Sequence, residues 1–334
     1  MAHGRRHVDR TYQRVNSTMK NALLLLAGGM LAIGITAASA SAQEVRRVAF
    51  TFDDVPATAL AHGSCDANRL ARFTKTLIEQ LVDLEVPATA FVTESRVCEP
   101  LRASLSTKLL SLWSDAGFEL ANHSFSHFDL NTTPVEAYIA DIERGADTAR
   151  AVSDAASAPF RYFRHPYLHA GDTLEKKHAV EAFLSSAGYE IGVVTIDNQE
   201  WVFADVYKHA LEDGDAARGE RILEAYVDYM NDVFAFFEVW SVDVVGYEPP
   251  QVLLLHANEL NVRALPKLTA MLQDRGYEFI SLEEALSDPA YASSDSYVGP
   301  RGLSWLHRWA LAKGMELREE PREPDWIAEL RAQR

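Results

Sequence analysis

Between residues 45 and 286 the sequence alternates seven times between short β-prone runs and stretches with helical apolar spacing, without a break in composition. Val45 to Phe52 alternates as a strand does, and Leu70, Phe73, Leu77, Leu81 and Leu84 then recur at helical intervals. The same periodicities predict strands over 88–93, 118–121, 160–163, 189–196, 251–255 and 277–282. Helices are expected over 101–113, from 135 past 146, over 174–187, around 222–237, over 265–272 and from 283. The run at 251–255, Gln-Val-Leu-Leu-Leu, is almost wholly apolar, as in a strand covered on both faces. Strands separated by helices pair in parallel, so the expectation is one α/β barrel-like domain, for which 334 residues at 48% hydrophobic content supply enough core. The stretch from 202 to 249 is long for a single strand-to-strand connection and is expected to carry an insertion. After residue 287 the alternation fails. A last helix over 303–315, with Trp305 and Trp309 four apart, is expected to pack on the barrel, and the acidic run ELREEPREPDW after it to be a solvated end.

The N-terminus reads differently. Arg5, Arg6, Arg10, Arg14 and Lys20 precede an apolar run from Ala22 to Ile35, too short for a comfortable membrane span, and Ala40-Ser41-Ala42 offers a small-x-small cleavage site before Gln43. Residues 1–42 are therefore expected to be a signal peptide, with Met19 as an alternative start and an uncleaved anchor as the competing reading. No cysteine stands directly after the apolar run, at the expected mature N-terminus, to carry a lipid. The expected organisation is signal peptide 1–42, catalytic domain 43–290 and C-terminal extension 291–334. The exported protein would be periplasmic or extracellular, with no stable membrane anchor once cleaved. Residues 1–42 hold five basic residues and one acid, so their removal takes the formal charge from −16 to −20. Such a chain has no basic footprint for nucleic acid and repels polyanions. Its two cysteines, Cys65 and Cys98, each follow an expected strand and can meet as one disulfide in an oxidising compartment; two separate thiols are the alternative.

Polar residues gather just after the expected strands, the end of a parallel α/β barrel that carries active sites. Asp53 and Asp54 close the first, His123 and His127 follow the third, Arg164, His165 and Tyr167 the fourth, Asp197 to Trp201 the fifth, and His256 the sixth. Two histidines four apart on one helical turn can aim both imidazoles at one point, and two His with one carboxylate suit a divalent metal with an open position for water. An isolated H-x-x-x-H is weak, and only the neighbouring acidic doublet favours a metal over a chance pair. One acid can then bind the metal while the other takes a proton from water. Arg164 can fix the non-ligand carboxylate with a charge-assisted pair, or serve as a rim salt bridge. His256 is either a satisfied core histidine or a general acid partnered by a carboxylate of the 197–201 segment. Trp201 is either core or a sugar-stacking wall.

The ordered set TFDD, HSFSH, RHPY, DNQEW and LLLHAN resembles the NodB-homology polysaccharide deacetylases of carbohydrate esterase family 4, over roughly residues 45–290. The resemblance implies a distorted (β/α)7 barrel and metal-dependent removal of acetyl groups from sugars. It makes Asp53 the general base and Asp54, His123 and His127 the metal ligands, with Zn²⁺ expected and Co²⁺ or Ni²⁺ as alternatives. Ser124 would brace the histidine loop, Arg164 orient Asp53, the Tyr167 backbone N–H help hold the oxyanion, Leu254 line the acetyl pocket, and His256 protonate the leaving amine. Two positions depart from the family pattern. Glu200 stands where an aspartate usually precedes the tryptophan, which is expected to alter how the catalytic histidine is held, with Asp197 as a second candidate partner. Leu168 stands where a glycine usually follows the tyrosine, which is expected to reshape the cleft border.

The leading expectation is thus an exported N-deacetylase of amino-sugar polysaccharide or oligosaccharide, peptidoglycan or chitin-like. Alternatives are another acyl or amide hydrolase on the same scaffold (O-acetyl xylan esterase, deformylase or cyclic amide hydrolase) and a carbohydrate-binding protein with weakened catalysis.

Overall fold

The structure, a computed structural model, describes residues 45–58 and 65–333. The expected signal peptide, residues 1–42, and the alternative start at Met19 lie outside the described residues. Seven parallel strands make one sheet: β1 (Arg46–Val55), β2 (Ala88–Val92), β3 (Glu119–Asn122), β4 (Tyr162–Phe163), β5 (Glu190–Ile191), β6 (Gln251–His256) and β7 (Tyr277–Ile280). Their order is β5-β4-β3-β2-β1-β6, with β7 also on β1. Val48 and Ala49 pair with both β6 and β7, so those strands lie on opposite edges of β1, and β7 sits ahead of β2, whose pairing starts at Phe50.

The expected strand over 189–196 is largely absent, and the reason is a glycine. A Cβ on Gly192 would lie 2.4 Å from Cζ of Phe91, and the Gly192 carbonyl accepts from Arg164 Nε at 2.9 Å instead of continuing a ladder. The chain regains the sheet at Ile196, which bridges Leu253 of β6 in parallel, with Leu254 N–H donating to the Ile196 carbonyl at 3.1 Å. Contact between the β5 side and β6 thus brings the sheet round into the distorted barrel expected from the sequence.

Helices fill the connections: α1 (Ala67–Asp83), α2 (Glu99–Asp115), α3 (Val135–Ala155), α4 (Leu174–Ser186), α5 (Glu200–Glu212), α6 (Ala216–Val245), α7 (Glu259–Asp274) and α8 (Leu282–Leu286). On α1, Leu70, Phe73, Leu77 and Leu81 are buried, as their spacing predicts. Asp66, Thr173, Asp215, Asn258 and Ser281 each cap a helix by accepting a backbone N–H, worth about 1 kcal/mol apiece. The long connection after β5 holds two helices, α5 and α6.

The described residues form one compact unit. The C-terminal segment adds α9 (Trp305–Ala312) and α10 (Asp325–Ala332). Trp305 and Trp309 are buried, and Trp305 N–H donates to the Val194 carbonyl at 2.8 Å, seating α9 on the irregular stretch after β5. None of the residues of the acidic run 316–326 is buried, as a solvated segment requires, yet the run is anchored at a few points. Glu320 lies 3.2 Å from His307, Arg221 stacks 4.1 Å over Trp326, and Ile327 is fully buried. A few apolar side chains among the charges suffice to hold the segment down.

Candidate active site

β1 runs through the acidic doublet to Val55 rather than stopping before it. Phe52 pairs with Ala90 and Val55 with Val92, so three steps along β1 match two along β2. Asp54 adopts the left-handed region at φ 60°, a conformation that aspartate tolerates better than bulkier residues. This bulge breaks strand alternation, which would have sent adjacent side chains to opposite faces. Asp53 and Asp54 consequently both line one cleft, each buried.

His123 and His127 also line it, but not from a helical turn. β3 ends at Asn122, and the chain turns through left-handed residues at Ser124 (φ 63°) and His127 (φ 58°). Asn122 Oδ1 accepts from Ser124 N–H at 2.8 Å, and Ser124 Oγ accepts from His127 N–H at 3.1 Å, so the serine does brace the loop. Gly145 of α3 packs against it; a Cβ there would lie 2.6 Å from the Ser124 carbonyl carbon. The two imidazole rings end 5.0 Å apart.

One ligand atom from each of Asp54, His123 and His127 lies within 4.8 Å of the others. His123 Nδ1 sits 2.9 Å from the Arg164 carbonyl, which can only accept, so Nδ1 carries the hydrogen and Nε2 keeps its lone pair. Burial pushes both histidines below the ordinary imidazole value, His127 to about 4, so both are neutral at neutral pH and have lone pairs that a cation could use. For Asp54 burial acts in the opposite direction, but His127, Arg96 and His123 outweigh it and hold the carboxyl well below its usual range. Asp54 Oδ2 accepts from Arg96 Nη2 at 2.8 Å, while buried Oδ1 has no hydrogen-bond partner among the described residues. An unpartnered buried carboxylate oxygen beside two neutral imidazoles is costly, and this N₂O donor set fits a divalent cation.

Asp53 is held from behind. Arg164, wholly buried, donates from Nη1 to Asp53 Oδ1 at 2.6 Å and to Thr51 Oγ1 at 2.8 Å, and stacks 3.9 Å over the Phe91 ring. Asp53 Oδ2 lies 3.6 Å from His123 Nε2.

His256, at the end of β6, faces the same cleft. Its Nδ1 lies 2.8 Å from Glu200 Oε2, so the glutamate occupies the partner position directly. Glu200 Oε1 accepts from Asn258 Nδ2 and, at 3.0 Å, from Asn261 Nδ2; these two amides fix the longer side chain. Burial opposes the imidazolium, but the Glu200 hydrogen bond and charge, with Asp54 and Asp53, raise His256 to about 9. Asp197 does not take this role. Partial burial pushes its carboxyl up to about 6, and its Oδ1 accepts from Asn198 N–H.

The cleft, about 640 Å³, is walled by Tyr167, Leu168, Leu254 and Trp201. Leu168 is buried at φ 54°, in the left-handed region where glycine is at home. Its carbonyl accepts from Arg308 Nη2, and Gly302 packs so tightly that a Cβ would lie 1.9 Å from the Tyr167 oxygen. The C-terminal segment therefore holds the loop in a form that a glycine would adopt without strain. Arg331 of α10 stacks 4.2 Å over the half-exposed Trp201 ring, 3.5 Å from Asp205. Cys65 and Cys98 are joined in a disulfide. Sequence reasoning missed Arg96, Arg331, Asn258 and Asn261. The two asparagines follow the LLLH motif closely enough to have been suspected, whereas nothing local marks either arginine.

Residues 40–192 match the polysaccharide deacetylase family, so the resemblance read from the motifs is borne out. No curated protein matches the chain. Among solved structures, the polysaccharide deacetylase Bc1974 from Bacillus cereus is similar at 17% identity and TM-score 0.46, covering 71% of this chain and 91% of its own. The peptidoglycan deacetylase PdaC from Bacillus subtilis is similar at 20% and 0.44, covering 72% and 92%. A family 4 carbohydrate esterase from Streptomyces lividans in complex with acetate is similar at 21% and 0.43, covering 72% and 95%.

Proposed function

We propose, from the polysaccharide deacetylase match over residues 40–192 and from the cleft, that this chain is an exported metal-dependent hydrolase removing N-acetyl groups from amino-sugar polysaccharide. The observation that carries it is a single cleft shared by a three-residue donor set, a carboxylate held by arginine and a histidine held by glutamate. Asp54 Oδ1 and Nε2 of His123 and His127 would hold the cation, with Zn²⁺ the first choice. When bound it supplies Lewis-acid polarisation of the acyl carbonyl and lowers the pKa of nearby water.

The chain's own groups do the rest. Asp53, anchored by Arg164 through Oδ1, uses Oδ2 to take a proton from the attacking water as its oxygen bonds to the carbonyl carbon. The Tyr167 backbone N–H supports the developing oxyanion. His256, charged below about pH 9, gives its proton to the amide nitrogen as the carbon–nitrogen bond breaks, releasing acetate and a free amine. Leu254 lines the place of the acetyl methyl, and Trp201 offers a flat wall for a sugar ring. The disulfide suits the oxidising compartment that export implies.

The mature chain is expected to release acetate from N-acetylglucosamine oligosaccharides or peptidoglycan, to stop on chelation, and to resume with Zn²⁺ or Co²⁺. Formate or ring-opened amide without acetate would move the assignment to another acyl class, and oligosaccharide binding with no hydrolysis in the presence of metal would end it.

The raised His256 also predicts a pH profile. A general acid must be protonated, so kcat/KM should hold as pH rises and fall through about 9. Glu200→Gln removes the hydrogen-bonded charge, the largest influence that raises the imidazole, and should move that alkaline limb to lower pH. An alkaline limb unmoved in E200Q would dismiss His256 as the acid.

A further inference from the structure

Each carboxylate of the doublet has its own arginine: Arg164 on Asp53 at 2.6 Å, and Arg96 on Asp54 at 2.8 Å. We infer that Arg96 is a positioning residue of the metal centre, acting through Asp54 by occupying Oδ2 so that Oδ1 alone is presented to the histidines. The inference rests on the metal reading above and adds to it a residue that lies in none of the five motifs.

Three observations carry it. The contact is a charge-assisted hydrogen bond between largely buried groups, with side-chain exposures of 19% for Arg96 and 4% for Asp54. Among the described residues the ion-pair partner of Arg96 is Asp54, reached through Nη2. The backbone that carries it is pinned on both sides. Residues Glu94–Arg96 form a 3₁₀ turn, Ser95 N–H donates to the Phe125 carbonyl at 3.1 Å, Val97 is fully buried, and Cys98 is tied to Cys65.

A carboxylate can bind a cation through one oxygen or two. With Oδ2 sharing its charge with a fixed guanidinium it is the weaker donor to a cation, so Asp54 favours binding through Oδ1 alone, which would leave coordination positions open. The unpartnered Oδ1, 3.7 Å from His127 Nε2, is the oxygen this leaves free. Without Arg96 the carboxylate could rotate, and the site would lose its preorganisation.

The test is Zn²⁺ affinity, by competition with a chromogenic chelator, of the wild-type protein, R96M, R96K and H127A, with unfolding of each apo form followed by circular dichroism. Outer partners of metal ligands typically contribute about 10–100-fold in affinity, so R96M should weaken Zn²⁺ binding by that order. Its apo form should also unfold more readily than wild type, because Asp54 loses the partner of a largely buried pair, so affinity is compared under conditions where circular dichroism shows each variant folded. R96K, which keeps a positive charge, should lie between R96M and wild type, and it carries the test if R96M does not fold. R96M binding within about threefold of wild type, or R96K binding no better than R96M, would overturn the assignment. Failure of the underlying metal reading looks different, since then the wild-type protein itself binds no Zn²⁺ or H127A binds as well as wild type.

Discussion

Asp53→Asn is expected to lower kcat by about 10²–10⁴ while Zn²⁺ affinity stays near wild type, because general-base catalysis contributes on that order and Asp53 is outside the donor set. Asparagine keeps the shape of the side chain, and its amide oxygen can still accept from Arg164 Nη1, so the loss isolates basicity from geometry. Asp54→Asn should behave in the opposite way. It touches the donor set directly, so metal affinity falls first, and added metal restores part of the rate. Measuring kcat and Zn²⁺ affinity for both variants separates the two tasks of the doublet. A near-normal kcat in D53N would remove Asp53 as the base, and a loss of metal in D53N would mean that it is a ligand.

Arg164→Met is expected to cost about 3–5 kcal/mol of stability, the range for removing one partner of a buried ion pair. Arg164 is wholly enclosed, and its loss leaves Asp53 Oδ1 without its 2.6 Å partner and the Gly192 carbonyl without a donor. The pair is weak evidence for stability as such, since two buried charges are expensive to desolvate even together. What the arginine supplies is organisation, linking β1, β4 and the broken strand after β5 through Asp53, Thr51 and Gly192. Chemical denaturation at neutral pH reads the effect. The double variant R164M/D53N should be less destabilised than the sum of the two single changes, because it removes the stranded charge along with its partner. Additivity within about 0.5 kcal/mol would mean that the two groups do not depend on one another.

Much of the barrel was legible because apolar periodicity survives from sequence to structure: six of the seven strands fall close to their expected positions, and α1 buries the residues its spacing selects. The exception, 189–196, alternates well enough for a strand. It is interrupted because Gly192 must yield space to Phe91 and its carbonyl to Arg164, demands from residues far off in the chain. The histidine loop was misread for a similar reason. Spacing of four is compatible with a helix, but the amide of Asn122, the hydroxyl of Ser124 and the bare face of Gly145 stabilise two left-handed residues instead. Glu200 was expected to perturb the catalytic histidine. Asn258 and Asn261, brought in by the start of α7, absorb the extra methylene.

What the sequence by itself determined is the alternation of strand and helix and the chemical types that follow each strand, since both depend on local pattern. Side-chain direction belongs to the tertiary structure alone. Asp53 and Asp54 share a cleft because β1 bulges against the register of β2, and no property of two adjacent aspartates predicts that. Arg96 and Arg331 reach the cleft because a 3₁₀ turn and the last helix happen to be packed beside it, and long-range packing leaves no mark on the few residues around an arginine.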